Sequence, residues 1–230
     1  IRDGFNGILV PERYPQGGVV PLTRERVRGI SHLGGTILGT TNKGNPFHFP
    51  TLRSDGTMGD TDRSHEIVAY FERHGIDALV SVGGDGSLTI ANDLHRKGLR
   101  VVGVPKTIDN DLDKTFTTFG FDTAVSFATE CLDRLHSTAE SHQRVMVVEV
   151  MGRHAGWIAA TAGLAGGADA ILIPEIPFSA GRVAEKVMQR ELDGRHFSMV
   201  VCAEGARAGD GQLTVMETAH DGREARLGGI

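Results

Sequence analysis

The chain has 230 residues, with 24 Lys plus Arg against 29 Asp plus Glu and a formal net charge of −5 at pH 7. That weak acidity argues against affinity built on blanket phosphate neutralisation, so nucleic acid is not an expected partner. No run of about 18 apolar residues occurs, and Ile1-Arg2-Asp3-Gly4 has neither part of a signal peptide, so a soluble, cytoplasmic protein without a membrane partner is expected.

The first sixty residues are turn-rich, with Gly17-Gly18, Gly34-Gly35 and Gly39-Thr40-Thr41-Asn42-Lys43-Gly44-Asn45-Pro46, and Leu52 to Asp60 reads as a polar connection. Regularity begins near residue 60. Asp60-Thr61-Asp62 offers N-cap oxygens, Ile67, Val68, Phe71 and His74 recur at helical spacing, and Gly75 supplies a stop. An apolar run over Ile76 to Val82 predicts a strand buried on both faces. Gly83-Gly84-Asp85-Gly86-Ser87 then turns into a helix carrying Leu88, Ile90, Ala91 and Leu94 and stopped by Gly98. A strand from Arg100 to Val104, a polar loop from Pro105 to Lys114, a helix near 121 to 139 and a strand from Val145 to Val150 follow. Helix 155 to 165, with Trp157 expected in the core, strand Ala170 to Ile173, helix 180 to 192 and strand Ser198 to Ala203 complete the alternation. Repeated strand, loop and helix with hydrophobic strands predict an α/β doubly wound fold, its mostly parallel sheet covered by helices on both faces. The chain opens without methionine and closes on Leu227-Gly228-Gly229-Ile230, so it reads as a piece of something longer.

In such a sheet the ligand crevice lies beyond the carboxyl ends of the strands. The 31 glycines, nearly twice the usual share of about 7%, are expected at turns, helix caps and close approaches of backbone to ligand. In Gly83-Gly84-Asp85-Gly86-Ser87, glycines let backbone N–H groups face a phosphate at a helix N-terminus. A carboxylate beside polyphosphate makes sense with a divalent cation between them, which makes Asp85 a magnesium candidate; the alternative is an Asx turn with glycine caps. The loop Pro105-Lys106-Thr107-Ile108-Asp109-Asn110-Asp111 packs a cation, a hydroxyl and two carboxylates after the next strand. One carboxylate can accept a substrate hydroxyl's proton while the other holds metal or orients neighbours, and Lys106 and Thr107 can donate to phosphate oxygens; the alternative is a solvated polar loop. After strand 145 to 150, Arg153 of Met151-Gly152-Arg153 projects into the crevice, where a guanidinium can bind a phosphate bidentately or stabilise charge on a transferring group. Arg144 stands at that strand's other end, about 20 Å away, so one crevice cannot hold both; if Arg144 binds substrate, it should reach into a neighbouring subunit's site. Glu204 ends a strand on the ligand side and can accept sugar hydroxyls, whereas Glu149 reads as a structural partner. The ten histidines are scattered, no Gly-x-Ser-x-Gly elbow or Cys/His metal spacing occurs, and Cys131 and Cys202 read as buried thiols in a reducing compartment. Metal carboxylate, base, phosphate donors and arginine are the parts of phosphoryl transfer.

Gly-Gly-Asp-Gly-Ser at 83 to 87, Pro-Lys-Thr-Ile-Asp-Asn-Asp at 105 to 111, Ser-His-Gln-Arg at 141 to 144 and Val-Glu-Val-Met-Gly-Arg at 148 to 153 resemble the 6-phosphofructokinase family in order and spacing. The resemblance runs from Ile1-Arg2-Asp3-Gly4-Phe5, similar to the strand and turn after the family's first helix, to about Glu204. It implies two lobes with the site between them, a larger donor lobe over 1–152 and part of a sugar-phosphate lobe over 153–230. It also implies that Asp109 deprotonates the C1 hydroxyl of fructose 6-phosphate, that Thr107 and Arg153 stabilise the transferring group, and that Asp111 assists. Asp85 would hold Mg2+, and Gly84, Gly86, Ser87, Asn42, Lys43 and Lys106 would line the donor phosphates. Thr107, Ile108, Met151, Gly152 and Glu204 would line the sugar, and Arg144 would reach the 6-phosphate in a neighbouring subunit of a homodimer or homotetramer.

Three departures from the family pattern bear on the donor. Lys106 stands where many ATP-dependent members have Gly, and is typical of pyrophosphate-dependent members and of some ATP-using branches. Gly86 stands where pyrophosphate users carry Asp and leaves room for a nucleotide, which favours ATP, with pyrophosphate or the use of both donors as the alternative. Asn42 or Lys43 stands where many members place an arginine. The family's opening glycine-rich loop and its later His and Arg sugar-phosphate ligands are absent from these residues. A non-catalytic sugar-phosphate or nucleotide-binding subunit would be expected to lose Asp109 or Arg153, and an NAD or lipid kinase would lack the second and third loops.

Overall fold

The structure, a computed structural model, describes residues 1–52 and 56–209 together with the strand backbones Val215–Glu217 and Arg226–Leu227. Residues 53–55 of the expected polar connection, and the closing Gly228-Gly229-Ile230, lie outside the described residues. The chain divides into two compact units, Ile1–Val104 and Pro105–Ile230. No helix of the described residues is long and apolar enough to cross a membrane.

In the first unit the segment over 1–5 is a turn rather than the expected strand and turn, and it leads into α1 (Asn6–Leu9), whose Gly7, Ile8 and Leu9 are buried. A short α2 (Arg24–Val27) follows. The connection expected over 52–60 proves to be part of an antiparallel hairpin, β1 (Phe49–Leu52) with β2 (Met58–Thr61), Phe49 opposite Thr61. Its composition hid it, because Phe49 faces the core while Leu52 and Met58 are exposed, which leaves no apolar alternation to read. Helix α3 (Ser64–Arg73) starts where the acidic segment predicts: Asp62 accepts from the Ser64 N–H at 2.9 Å and from the Ser64 hydroxyl, and Lys97 Nζ donates to Asp62 Oδ2 at 2.9 Å. The Ser64 hydroxyl, with Lys97, holds the Asp62 carboxyl well below the usual carboxylate range. Ile67 and Phe71, four apart on one helical face, bury against Leu79, Leu94 and Leu99, and Gly75 turns the chain at φ +61. The next strand, β3, runs Leu79–Gly83, and α4 runs Asp85–Arg96. The apolar run of β3 is not covered on both sides, since Val80 and Val82 stay 60% and 57% exposed.

Strand β4 (Val101–Thr107) begins in the first unit and ends in the second, where Lys106 and Thr107 pair in parallel with β5 (Phe119–Gly120). The loop expected from Pro105 therefore begins two residues later, and Lys106 and Thr107 are strand residues. From here to Ala203 every predicted element is found: α5 (Phe121–Ser141), β6 (Val145–Val150), α6 (Trp157–Ala165), β7 (Ala170–Leu172), α7 (Ala180–Leu192) and β8 (Ser198–Ala203). Strands β6 and β7 flank β8, all parallel, with Val145 opposite Ser198 and Val150 opposite Ala203. Parallel neighbours need crossovers, and α6 and α7 supply them. Of these three strands only β8 is buried along its whole length; β6 alternates, with Val147 58% exposed.

Helix α6 is Ala- and Gly-rich because its neighbours come close. A Cβ built on Gly163 would lie 2.9 Å from the Ile171 side chain, and one on Gly166 would lie 2.8 Å from Leu132 of α5. Trp157 is not core but 53% exposed: it is the first residue of α6, and the buried face falls on Ile158, Ala159 and Ala162. A partly buried ion pair ties α7 to the sheet, Arg190 to Asp169 at 2.7 Å, with further Arg190 bonds to the Ser198 hydroxyl and the Phe197 carbonyl. Cys202 is buried and its thiol is pushed up to about 11 by desolvation, whereas Cys131 is only half-buried. The strands β9 (Val215–Glu217) and β10 (Arg226–Leu227) pair antiparallel.

Candidate active site

In the first unit, Gly84 is the N-cap of α4 and Asp85 its first residue, so the carboxylate stands where the helix dipole favours negative charge. Gly83 is obligatory, because a Cβ there would lie 2.5 Å from Ser87. Gly86 is open: nothing lies within 4 Å of a Cβ built on it. Asp85, Gly86 and Ser87 are all exposed, as are Asn42 and Lys43, and the Lys43 N–H donates to the Thr41 hydroxyl at 3.1 Å. Among the described residues no group of three or more His, Cys, Asp or Glu gathers as a metal cage. A single exposed carboxylate at a helix start fits Mg2+, which keeps waters and shares its shell with substrate phosphates.

The second unit carries the remaining candidates. Beyond β4 the chain is pinned into a loop: Asn110 takes a left-handed conformation, φ +56, and its side-chain oxygen accepts from the Thr118 N–H at 2.9 Å. Gly120, φ +117, brings the base of the loop onto Thr107 and Ile108, where a Cβ would meet both at 3.3 Å. This pinning points Asp109 inward. Its side chain is 9% exposed; the Thr107 hydroxyl donates to Oδ2 at 3.3 Å and accepts from the Asp109 N–H, while Oδ1 is buried with no hydrogen-bond partner among the described residues.

Burial pushes the Asp109 carboxyl above its ordinary 3.8; the charges of Asp111 and Glu204 push the same way, and the Thr107 hydrogen bond and the Arg153 charge oppose them. Thr107, Asp109, Asp111, Arg153 and Glu204 thus share one electrostatic environment. Such a carboxylate is dry, aimed, and more willing to take a proton than one in water. Arg153 follows β6 directly after Met151 and Gly152, whereas Arg144 precedes β6, as its strand position requires. Met151 is 58% exposed and Gly152 buried.

Glu204 holds the backbone beneath Arg153: Oε1 accepts from the Gly152 N–H at 3.2 Å and the Arg153 N–H at 2.9 Å. Sequence reasoning did not anticipate this bond, nor Asn110, Thr118, Gly120, Glu175 and Gly205 as the residues that shape the loops. The signal for Glu175 was its place just after the strand over 170–173, on the crevice side.

A family model described as phosphofructokinase matches residues 1–228. The chain belongs to the phosphofructokinase family. The phosphofructokinase relatives include the ATP-dependent 6-phosphofructokinase of Chloroflexus aurantiacus, 54% identical over 230 residues, covering 100% of this chain and 60% of that protein. The ATP-dependent 6-phosphofructokinase 2 of Clostridium perfringens is 52% identical over 212 residues, covering 92% of this chain and 58% of that one. The chain therefore spans about three fifths of the length of these curated phosphofructokinases. Among solved structures, Pichia pastoris phosphofructokinase in the T-state superimposes with a TM-score of 0.77 at 31% identity, over 92% of this chain and 23% of that chain.

Proposed function

We propose that the protein carrying this chain is an ATP-dependent 6-phosphofructokinase, transferring the γ-phosphoryl group of ATP to the C1 hydroxyl of fructose 6-phosphate. The observation that carries the reading is Asp109: a buried carboxylate with one unpartnered oxygen and raised proton affinity, beside a hydroxyl and under the influence of an arginine. The relatives, named ATP-dependent 6-phosphofructokinases, support the donor and the acceptor. In this reading Asp109 takes the C1 hydroxyl proton as that oxygen attacks the γ-phosphorus in line; the bond from the γ-phosphorus to the bridging oxygen breaks and ADP leaves. Thr107 and Arg153 donate to the oxygens of the transferring group, and Asp111 keeps the Asp109 proton affinity high.

Asp85 would hold Mg2+, which supplies charge neutralisation on the donor phosphates. Gly84, Gly86 and Ser87, with Lys106, Asn42 and Lys43, would line those phosphates, and Ile108, Met151, Gly152 and Glu204 the sugar. Arg144 would bind the 6-phosphate in a neighbouring subunit's site, in a cytoplasmic homodimer or homotetramer. The division into a donor lobe over 1–152 and a sugar-phosphate lobe from 153 belongs to the same proposal.

Lys106 favours a second reading, pyrophosphate as donor, and the open space at Gly86 favours ATP. Phosphorylation of fructose 6-phosphate by the full-length protein, with ATP and with pyrophosphate side by side, separates them. Product with ATP is expected; product with pyrophosphate alone would reassign the donor, and none with either would sink the reading.

A further inference from the structure

The bend from β6 into α6 is held at both ends by carboxylates from two other loops. At its start, Glu204 takes the N–H groups of Gly152 and Arg153. At its end, the Glu175 Oε1 accepts from the N–H of Gly156, the buried N-cap residue of α6, at 2.8 Å. Between them the backbone is held in conformations that L-residues avoid: Gly152 at φ +143 and Arg153 at φ +51, closed by the Ala155 N–H donating to the Gly152 carbonyl at 2.9 Å. An arginine in the left-handed region persists only where its surroundings impose it. The packing leaves no slack. A Cβ on Gly205 would lie 2.0 Å from the Arg153 carbonyl oxygen, one on Gly152 would lie 2.5 Å from that of Ala155, and one on Gly156 would lie 2.7 Å from Glu175 Oε2.

We propose that Glu175 is a positioning residue: with Glu204 it clamps the Gly152–Gly156 bend and so fixes the direction in which Arg153 projects toward the group that Asp109 acts on. The inference rests on the phosphoryl-transfer reading above. Glu175 touches no reacting atom; it acts through the backbone. Withdrawing its acceptor leaves the buried Gly156 N–H unsatisfied and frees the far end of the bend, and a shift of about 1 Å at a group that stabilises a transition state costs on the order of a hundredfold in rate.

The test uses the full-length protein, with turnover measured per folded molecule. Glu175→Ala, and Glu175→Asp, which pulls the acceptor back by one methylene, are each expected to lower kcat about 10- to 100-fold with KM for the sugar phosphate nearly unchanged. Glu175→Gln, whose amide oxygen still accepts from Gly156, is expected to stay within about threefold of the parent. In an Arg153→Ala background the same substitutions should change kcat little, since the group they position is gone. Unchanged kcat in Glu175→Asp, a loss in Glu175→Gln as large as in Glu175→Ala, or a full additional loss in the Arg153→Ala background would each overturn the proposal. A parent protein unable to phosphorylate fructose 6-phosphate would instead refute the function, so the two failures are told apart.

Discussion

Asp109→Asn changes one atom's chemistry and almost nothing of the shape, which lets the same substitution probe catalysis and stability in opposite directions. The asparagine fills the same buried space and keeps a polar contact with Thr107, but it cannot accept a proton from a substrate hydroxyl. Thr107 and Arg153 remain, so the loss is confined to the share of a general base, about 10²- to 10⁴-fold in kcat, or roughly 3–5 kcal/mol of barrier. Sugar binding should survive, because the lost interaction belongs to the transition state.

Stability should move the other way. Burial raises the folded-state pKa of Asp109 above 3.8, so the native protein binds this proton more tightly than the unfolded chain does. The group's stabilising contribution is then fully present below 3.8 and is lost as pH rises through the folded pKa, leaving a desolvated charge as a cost at neutral pH. Asparagine carries no such charge. Asp109→Asn is therefore expected to raise the melting temperature at neutral pH while the gain shrinks toward pH 4. The parent's kcat/KM should show an acid limb above the ordinary aspartate range, as protonation removes the base. Steady-state assays and melting curves across pH, on parent and variant, measure all of this. Turnover within tenfold of the parent would refute the base assignment, and a variant less stable at pH 7 than the parent would refute the desolvation argument.

Two further substitutions probe the frame of the second unit. Arg190→Met strands Asp169, a partner 16% exposed, and removes two more hydrogen bonds, so chemical denaturation should report a loss of about 3–5 kcal/mol; under 1 kcal/mol would mean that the pair is not structural. Gly205→Ala forces a Cβ onto the Arg153 carbonyl, and should cost about 1–3 kcal/mol of stability and lower kcat as well, since the bend that carries Arg153 must shift. A Gly205→Ala protein with parental melting temperature and kcat would show that the bend is softer than its contacts imply.

The ladder from α5 to β8 was legible in the sequence because each strand is a short apolar run and each helix ends at a glycine or polar break. Legibility failed where long-range pairing decides. Lys106 and Thr107 read as loop because nothing local reveals that β5, twelve residues on, will pair with them. The hairpin β1 and β2 sends Phe49 into the core but leaves Leu52 and Met58 exposed, and Trp157 shares the uncovered side of α6 with Thr161 and Leu164. At the site, residue types were readable and roles less so. Asp109 was singled out by its neighbours in sequence, but its dryness comes from Thr118, Asn110 and Gly120, which hold the loop in place. Glu204 was read as a sugar ligand from its strand-end position, and the backbone amides that occupy its Oε1 come from a turn some fifty residues away.

The bend after β6 also bears on how such a sequence can vary. Gly152 and Gly156 lie about fifty residues from Gly205 yet all three answer to one bend: a side chain at Gly152 or Gly205 would strike its backbone carbonyls, at Ala155 and Arg153, and one at Gly156 would strike the Ile173 and Glu175 side chains packed against it. A saturation scan should score them as one correlated block that no single change relieves. Gly86, with open space where its side chain would be, should accept alanine without penalty to folding while altering what the loop proposed to line the donor phosphates admits. Two glycines in equally glycine-rich motifs would then report different things, one the rigidity of an arginine's mounting and the other the identity of the donor.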